Sequence, residues 1–359
     1  MYSRPLSTHT AGGGWTDHNA ALGTLQYYYA DSGTVDGNTV LWGGLQDNGT
    51  SKQVISSFDP FVQAEASQPF GGDGGATLVD PQDGNKVLTE YTDLTPAITQ
   101  DGGKTWTDVT PGDPNPQFIA PIEADSASPS SDLYAGGEFL WHSSKGYDTT
   151  AADWQKVFDA GAGNSISAIG VSGGTGYAAF CGPCWPGYTS GTGFRRGLIA
   201  NTGADGTWHA LDLSTVPSGC DAVPDRYITG IAVDAADADH AYISVSGYAR
   251  HWMVGPDDPG VGHVFETADG GTCWHDVSGT LIDAPANDVL FLGSGRLVVA
   301  TDVGVFASGD DGATWGKVGM NLPHTIVEDL GLTPSGDILA ATHGRGLWQI
   351  SQDALTPAS

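Results

Sequence analysis

Three eight-residue stretches carry one pattern: 99–106 (TQDGGKTW), 267–274 (TADGGTCW) and 308–315 (SGDDGATW). Each reads Ser/Thr-x-Asp-x-Gly-x-x-Trp. A chain that repeats a small unit in this way is built from copies that cannot bury their own apolar faces and must stack on neighbours. Weaker copies fill the gaps. Residues 201–208 (NTGADGTW) keep the spacing and the Trp but place Gly203 at the Asp position, 8–15 (THTAGGGW) keep only the frame, and Trp154 closes a more degenerate copy. The tryptophans at 15, 106, 154, 208, 274 and 315 stand 91, 48, 54, 66 and 41 residues apart. The first interval holds two units and each of the others one. Periods of roughly 40–50 residues with strand-turn patterning point to propeller blades of four strands.

Composition agrees. There are 53 glycines and 20 prolines, and no segment sustains a helical period. Short β-rich runs recur at 39–45, 86–91, 131–135, 241–245, 297–300 and 337–341, each at or near turn-forming Gly, Asp, Asn or Pro. The expected fold is all-β: a seven-bladed β-propeller occupying 1–359 as one domain. Blades are expected near 24–68, 73–110, 117–158, 164–212, 226–278, 286–319 and 325–351. The last shows only three clear strands. The stretch 13–19 (GGWTDHN) is read as its missing outer strand, so that the N-terminal strand closes the ring and removes exposed sheet edges.

Thirteen basic residues face 42 acidic ones, a net charge of −29. Nucleic acid and anionic membranes are therefore poor partners. A solvated acidic surface accounts for most of this charge. Calcium is the sharper alternative, with oxygen ligands from Asp47-Asn48-Gly49 and from Asp73 within 71–75, but no complete calcium loop is present and no metal site is assigned. No apolar run is long enough for a transmembrane helix, and the opening MYSRPLSTHTAGGG lacks the apolar core of a signal peptide. Because the first residues look like the end of a blade, the chain reads as a fragment, such as the C-terminal part of a larger protein. Four cysteines, Cys181, Cys184, Cys220 and Cys273, leave three disulfide connectivities open. The Cys181-Gly182-Pro183-Cys184 run spells a thioredoxin-like motif, but Gly, Pro and Trp185 around it argue for loop bracing rather than redox chemistry. Zinc lacks a second Cys pair or a matched His pair.

The repeated motif resembles the Asp-box, or BNR repeat, of sialidase-like propellers, with Asp101, Asp269 and Asp310 as its carboxylates and Trp106, Trp274 and Trp315 as its aromatics. The segments 41–50 (LWGGLQDNGT), 71–81 (GGDGGATLVDP) and 341–348 (ATHGRGLW) resemble a bacterial group of BNR-repeat glycosyl-hydrolase propellers related to xyloglucanase-type and sortilin-type ones. The likeness spans nearly the whole chain. It implies that each box forms the turn between the third and fourth strands of a blade, with Asp binding its own turn and Trp packing between blades, so the box carboxylates are structural. It also implies an extracellular, carbohydrate-active protein with a polysaccharide or glycan ligand. The arginine triad and Tyr nucleophile of a true sialidase have no match. Cys273 stands where the box usually carries Thr, so that turn is a candidate for a sulfur tie.

Propeller geometry places the loops between second and third strands, and the connections between blades, on the face opposite the boxes. Candidates gather there. Asp47, Asp73, Asp288 and Asp302 are the acid–base candidates. Asn48, Trp185, Tyr188, Arg226, Tyr248, Arg250, His251, Trp252, His343 and Arg345 are candidates for sugar contacts, aromatics stacking on C–H faces and polar groups binding hydroxyls. Each alone has a plain structural reading, since Asp and Asn tighten turns and the cations pair with carboxylates. Glycoside hydrolysis needs one protonated carboxyl and one carboxylate flanking the bond. A non-catalytic propeller binding glycan, peptide or protein is the competing expectation, and a scaffold or assembly-factor propeller a third. Paired carboxyls in an open cleft favour the enzyme, and turn-bound, scattered ones favour the binder.

Overall fold

The computed structural model describes residues 2–3, 16–17, 23–55, 67–182, 195–203, 205–252, 262–319 and 321–355. Six four-stranded antiparallel sheets and one three-stranded sheet follow one another along the chain, each in simple up-and-down order. Their inner strands are Tyr27–Val35, Thr77–Val79, Ile122–Ala124, Ser165–Ser172, Ile228–Asp234, Ala286–Phe291 and Val327–Leu332. Each inner strand lies against the next, and the seventh lies against the first. The result is the expected seven-bladed propeller.

All six β-rich runs recognised in the sequence fall on second strands. Leu297–Thr301, Ile338–Thr342 and Val87–Glu90 are buried at every position. Blades stack face to face, so a second strand meets protein on both sides and reads as an unbroken apolar run rather than an alternation.

The three complete motifs are the turns between third and fourth strands of blades 2, 5 and 6. In each, the Asp side chain accepts N–H bonds from its own turn. Asp101 Oδ1 takes the amides of Lys104 and Thr105, both at 2.9 Å, Asp269 Oδ1 that of Cys273 at 2.8 Å, and Asp310 Oδ1 that of Thr314 at 2.9 Å. The leading hydroxyl returns the favour by accepting the Gly amide two residues beyond the Asp, at 3.0 Å in all three. These bonds hold Asp101 down to about 2 and keep Asp310 below the usual carboxylate range.

Every motif tryptophan reaches the blade before its own. Trp106 stands edge-on to Trp42 of blade 1 at 6.2 Å, and Trp274 to Tyr177 of blade 4 at 6.4 Å. Trp208 of the weak copy meets Tyr134 of blade 3 at 6.3 Å. Trp154 donates its Nε1–H to Val109 O, just past blade 2, and Trp315 to Val277 O, just past blade 5. The tie expected at Cys273 exists: it is disulfide-bonded to Cys220 in the connection between blades 4 and 5. Cys181 is also disulfide-bonded, and it ends the strand Thr175–Gly182 rather than lying in a loop.

Among the described residues the expected N-terminal closure is not seen. Thr16–Asp17 pairs with Tyr2–Ser3 in a two-stranded sheet of its own, and blade 7 has three strands among the described residues. Tyr2–Ser3 and Thr16–Asp17 lie about a dozen residues apart and satisfy each other's backbone groups locally. Blade 7 joins blade 1 by other means: Ala30 N–H donates to Asp329 Oδ2 at 2.9 Å, Gly344 N–H to Leu25 O at 3.1 Å, and Gln26 bridges His343.

Replacing Trp274, which is 3% exposed, with Ala should lower the unfolding free energy by about 3–5 kcal/mol in a denaturant titration. The same change at the partly exposed Trp106 should cost less. Equal losses would contradict the inter-blade wedge.

Candidate functional site

The face opposite the motif turns carries the ends of second strands, the starts of inner strands and the links between blades. Two glycine-rich motifs meet on it. A side chain on Gly44 would lie 2.0 Å from Gly75 O, and one on Gly74 would lie 2.3 Å from Gly49 O, so only glycine permits this backbone contact. Gly74 N–H donates to Leu45 O at 2.9 Å and Gly49 N–H to Gly72 O at 2.5 Å. This docking brings Asp47 and Asp73 together: Asp73 Oδ1 accepts the Asp47 amide at 2.7 Å. Asp47 sits at φ +59°, the αL position of its turn. Asn48 lies exposed beside it and donates to Gln46 O at 2.9 Å.

A second regularity lies in the inner strands. Blades 1, 4, 5, 6 and 7 each carry a β-bulge at the same place near the mouth. The extra residues are Tyr28, Ser167, Thr229, Asn287 and Glu328. A bulge leaves one residue outside the ladder and re-aims its side chain. In the three adjoining blades 6, 7 and 1 these residues are Asn287, Glu328 and Tyr28. Asn287 Nδ2 donates to Asp302 Oδ1 at 3.2 Å. Glu328 Oε1 stands 3.5 Å from His343 Nδ1, and the Tyr28 and His343 rings are 5.8 Å apart. Burial first, and the Asp302 charge second, push the Glu328 carboxyl up to about 7. Burial raises the Tyr28 hydroxyl too, helped by Asp73, Glu328 and Asp47. Asp302 thus acts on Glu328, and Asp47 and Asp73 act with Glu328 on Tyr28, which places the four carboxyls around one stretch of the rim.

Asp288 does not lie at the rim as expected. It belongs to the strand Ala286–Phe291, one step below Asn287, in the wall of a channel cavity of about 280 Å³. Its Oδ2 accepts the Leu330 amide of blade 7 at 3.0 Å. Asp329, at the same position of blade 7, accepts the Ala30 amide of blade 1, and Asp31 of blade 1 accepts the Val79 amide of blade 2 at 2.7 Å. Glu123 lines the same channel. Protein surrounds these carboxyls, so burial pushes Asp31 up to about 6 and Asp288 to about 7. Asp329 and Glu123 are pushed well above the carboxylate range, with their neighbours' charges adding to burial.

Arg226 is withdrawn from any ligand. It is 2% exposed and donates to Ser246 O at 2.7 Å, Gly262 O at 2.8 Å and Gly247 O at 3.1 Å, with His263 Nδ1 at 2.8 Å. Its scarcity in an acidic chain reflects a buried carbonyl cluster rather than a contact with solvent. Arg250 stacks over the Tyr248 ring at 4.1 Å and pairs with Asp283 at 3.0 Å. Arg345 is exposed and donates to Gly344 O at 2.8 Å. His251 and Trp252 lie in the short 3-10 turn Ala249–Trp252, and their side chains are outside the description; Trp185 and Tyr188 lie outside the described residues. Among the described residues no group of three or more His, Cys, Asp or Glu converges as a metal site.

Sequence reasoning placed Asn287 beside Asp288 on this face but missed Glu328, Tyr28 and three residues of blades 2 and 3. Glu90 is fully buried and accepts the amides of Leu94 at 2.9 Å and of Ala120 at 3.1 Å, tying two neighbouring loops together. Burial pushes it up to about 8. Those loops carry Tyr91 and Phe118, 44% and 52% exposed. An alignment of the inner strands, NDVL with EDLG and YYAD, would have exposed the bulge position.

No protein-family model matches the sequence, and no curated protein matches it significantly. Solved structures share the fold. The GH74 xyloglucanase of Xanthomonas campestris is 18% identical with a TM-score of 0.56, over 96% of this chain and 55% of that one. This chain thus spans about half of that enzyme. YCF48 from Cyanidioschyzon merolae is 12% identical with a TM-score of 0.61, over 93% of this chain and 98% of that one. YCF48 bound to a D1 peptide is 14% identical with a TM-score of 0.56, over 94% and 99%. The extracellular domain of a putative one-component system from B. thetaiotaomicron is 12% identical with a TM-score of 0.56, over 92% and 38%. At these identities the likeness establishes the propeller. No helix among the described residues is long and apolar enough to cross a membrane.

Asp288 titrates near 7 in the fold and near 4 unfolded, so the folded chain holds an extra proton between those values. Its contribution to stability is full below about pH 4 and is lost as pH rises through 7. Asp288→Asn should flatten the fall in melting temperature between pH 5 and 8; an unchanged slope would exclude this titration.

Proposed function

We propose that this chain is an extracellular carbohydrate-active propeller, a glycoside hydrolase that works where blades 6, 7 and 1 meet. The reading is carried by three adjoining bulge residues: Asn287 bonds Asp302, Glu328 lies in the field of Asp302, and Tyr28 lies in that of Asp73, Glu328 and Asp47. A carboxyl held up to about 7 beside carboxylates is the division of labour that glycoside hydrolysis requires. Tyr91 and Phe118 on the same face offer apolar surfaces to sugar rings, and Arg250, Arg345 and Asn48 offer donors to hydroxyls. The xyloglucanase likeness supports a plant-type β-glucan as the first substrate to try. Disulfides at Cys220–Cys273 and Cys181 fit an oxidising, extracellular setting.

A second reading has an observation of its own. The fold matches peptide-bound YCF48 over 99% of that chain, which favours a peptide-binding propeller without catalysis.

Hydrolysis of a polysaccharide panel headed by xyloglucan separates the two. Turnover by the native chain is expected, with a loss of about a hundredfold or more in at least one of Asp47→Asn, Asp73→Asn and Asp302→Asn. Undiminished turnover in all three would remove these carboxylates from the reaction. Absence of turnover alongside peptide retention would establish the binder.

A further inference from the structure

We propose that Glu328 is the proton donor to the leaving sugar and that His343 positions it, an inference that rests on the glycosidase reading and assigns its acid. Glu328 is the bulge residue of blade 7, with a side chain 30% exposed: open to the mouth on one side and packed on the others. The titratable groups around it come from three blades. Asp302 stands on the blade 6 turn, His343 on the turn of blade 7 itself, and Tyr28 on blade 1, with Asp73 and Asp47 within electrostatic reach of Tyr28. Lys317 directs its ammonium to Val303 O and His324 on the outer side of blade 6. Among the described residues no Lys or Arg pairs with Glu328, so no fixed cation strips its proton.

His343 is built to orient it. Its amide is fixed on Ile326 O at 3.0 Å and its ring packs toward Tyr28. Its Nδ1 is enclosed, forms no hydrogen bond among the described residues, and faces Glu328 Oε1 at 3.5 Å. That is a few tenths of an ångström beyond a formed bond, a gap that a bound substrate would close in an acid–base pair of this kind. With Nδ1–H directed at Oε1, Oε2 is left to carry the proton toward the mouth. Burial and the Asp302 charge keep that proton in place up to about pH 7.

The step balances simply. Glu328 Oε2–H gives its proton to the glycosidic oxygen, and the C–O bond breaks with its electron pair passing to that oxygen. Water adds to the anomeric carbon and yields a proton to a facing carboxylate, Asp73 in this assignment, whose Oδ1 is held by the Asp47 amide. Two sugar hydroxyl ends form and one water is consumed. Glu328 regains a proton from solvent and Asp73 returns one.

The test uses leaving-group dependence. The native chain, Glu328→Gln, His343→Asn and His343→Phe are assayed on the polysaccharide turned over and on the phenyl and 2,4-dinitrophenyl glycosides of the sugar it releases. Dinitrophenolate departs without protonation. Glu328→Gln should lose about a hundredfold or more in kcat/KM on polysaccharide and phenyl glycoside but stay within about tenfold on the dinitrophenyl glycoside, which also proves it folded. The basic limb of the pH profile near 7 should vanish with it. His343→Phe should lower kcat with little change in KM, and His343→Asn, whose amide N–H replaces Nδ1–H, should restore it. Equal losses on both aryl glycosides, or none, overturn Glu328 as donor while leaving the hydrolase reading intact. Equal behaviour of the two His343 variants overturns the positioning role. No turnover by the native chain overturns the hydrolase reading itself, and the donor with it.

Discussion

The contact on which this ring depends is the tryptophan that each motif turn pushes into the blade before it. Trp106, Trp154, Trp208, Trp274 and Trp315 fill the seams between blades 1 and 2 through blades 5 and 6. Among the described residues two seams have no such motif tryptophan: between blades 6 and 7, and between 7 and 1. At these two, inner-strand carboxyls cross, Asp288 to the Leu330 amide and Asp329 to the Ala30 amide. Apolar clusters bridge the closure seams as well, and inner-strand carboxyl staples are thus added from blade 6 to 7, from 7 to 1 and, through Asp31 and the Val79 amide, from 1 to 2. Buried acceptors with backbone donors satisfy both partners, whereas unpaired ones would cost about 1–3 kcal/mol each.

That arrangement explains why chemistry collects on one side of the mouth. Staples at the closure place Asp288, Asp329 and Asp31 close together in a narrow channel, and their mutual repulsion adds to desolvation. One layer higher, the same strands present Asn287, Glu328 and Tyr28. The docking of 44–49 against 71–75 brings two more carboxylates to this rim without any side chain between the backbones. The site is a by-product of how the last seam is sealed, since the residues that seal it and those that face the mouth alternate along one strand.

Much of the scaffold was legible in the sequence because its signals are local. The motif fixes a turn, its Trp fixes a seam, and the apolar runs fix second strands that are buried on both faces. Blade limits drawn from those signals fall within a few residues of the observed strands. The candidate site was legible in part. Asp47, Asp73 and Asp302 were picked out because they sit in short polar turns on the face opposite the motif turns. Glu328 was hidden because a bulge breaks the two-residue period and disguises it as an ordinary strand residue. Arg226 misled for the opposite reason: scarcity drew attention to a side chain whose work is to satisfy buried carbonyls. Of the expected N-terminal strand only Thr16 and Asp17 are described, and they pair with Tyr2 and Ser3 instead of blade 7.

Blade 7 has the fewest strands among the described residues, and its last one, Gly346–Ile350, is half-buried along its whole length. The Cys220–Cys273 bond, by contrast, clamps blades 4 and 5 covalently. Resistance to unravelling is therefore unevenly distributed around the circle. On these grounds the arc bearing the mouth cluster is the one expected to open first on heating, and the disulfide-tied arc the one to hold its sheets in register.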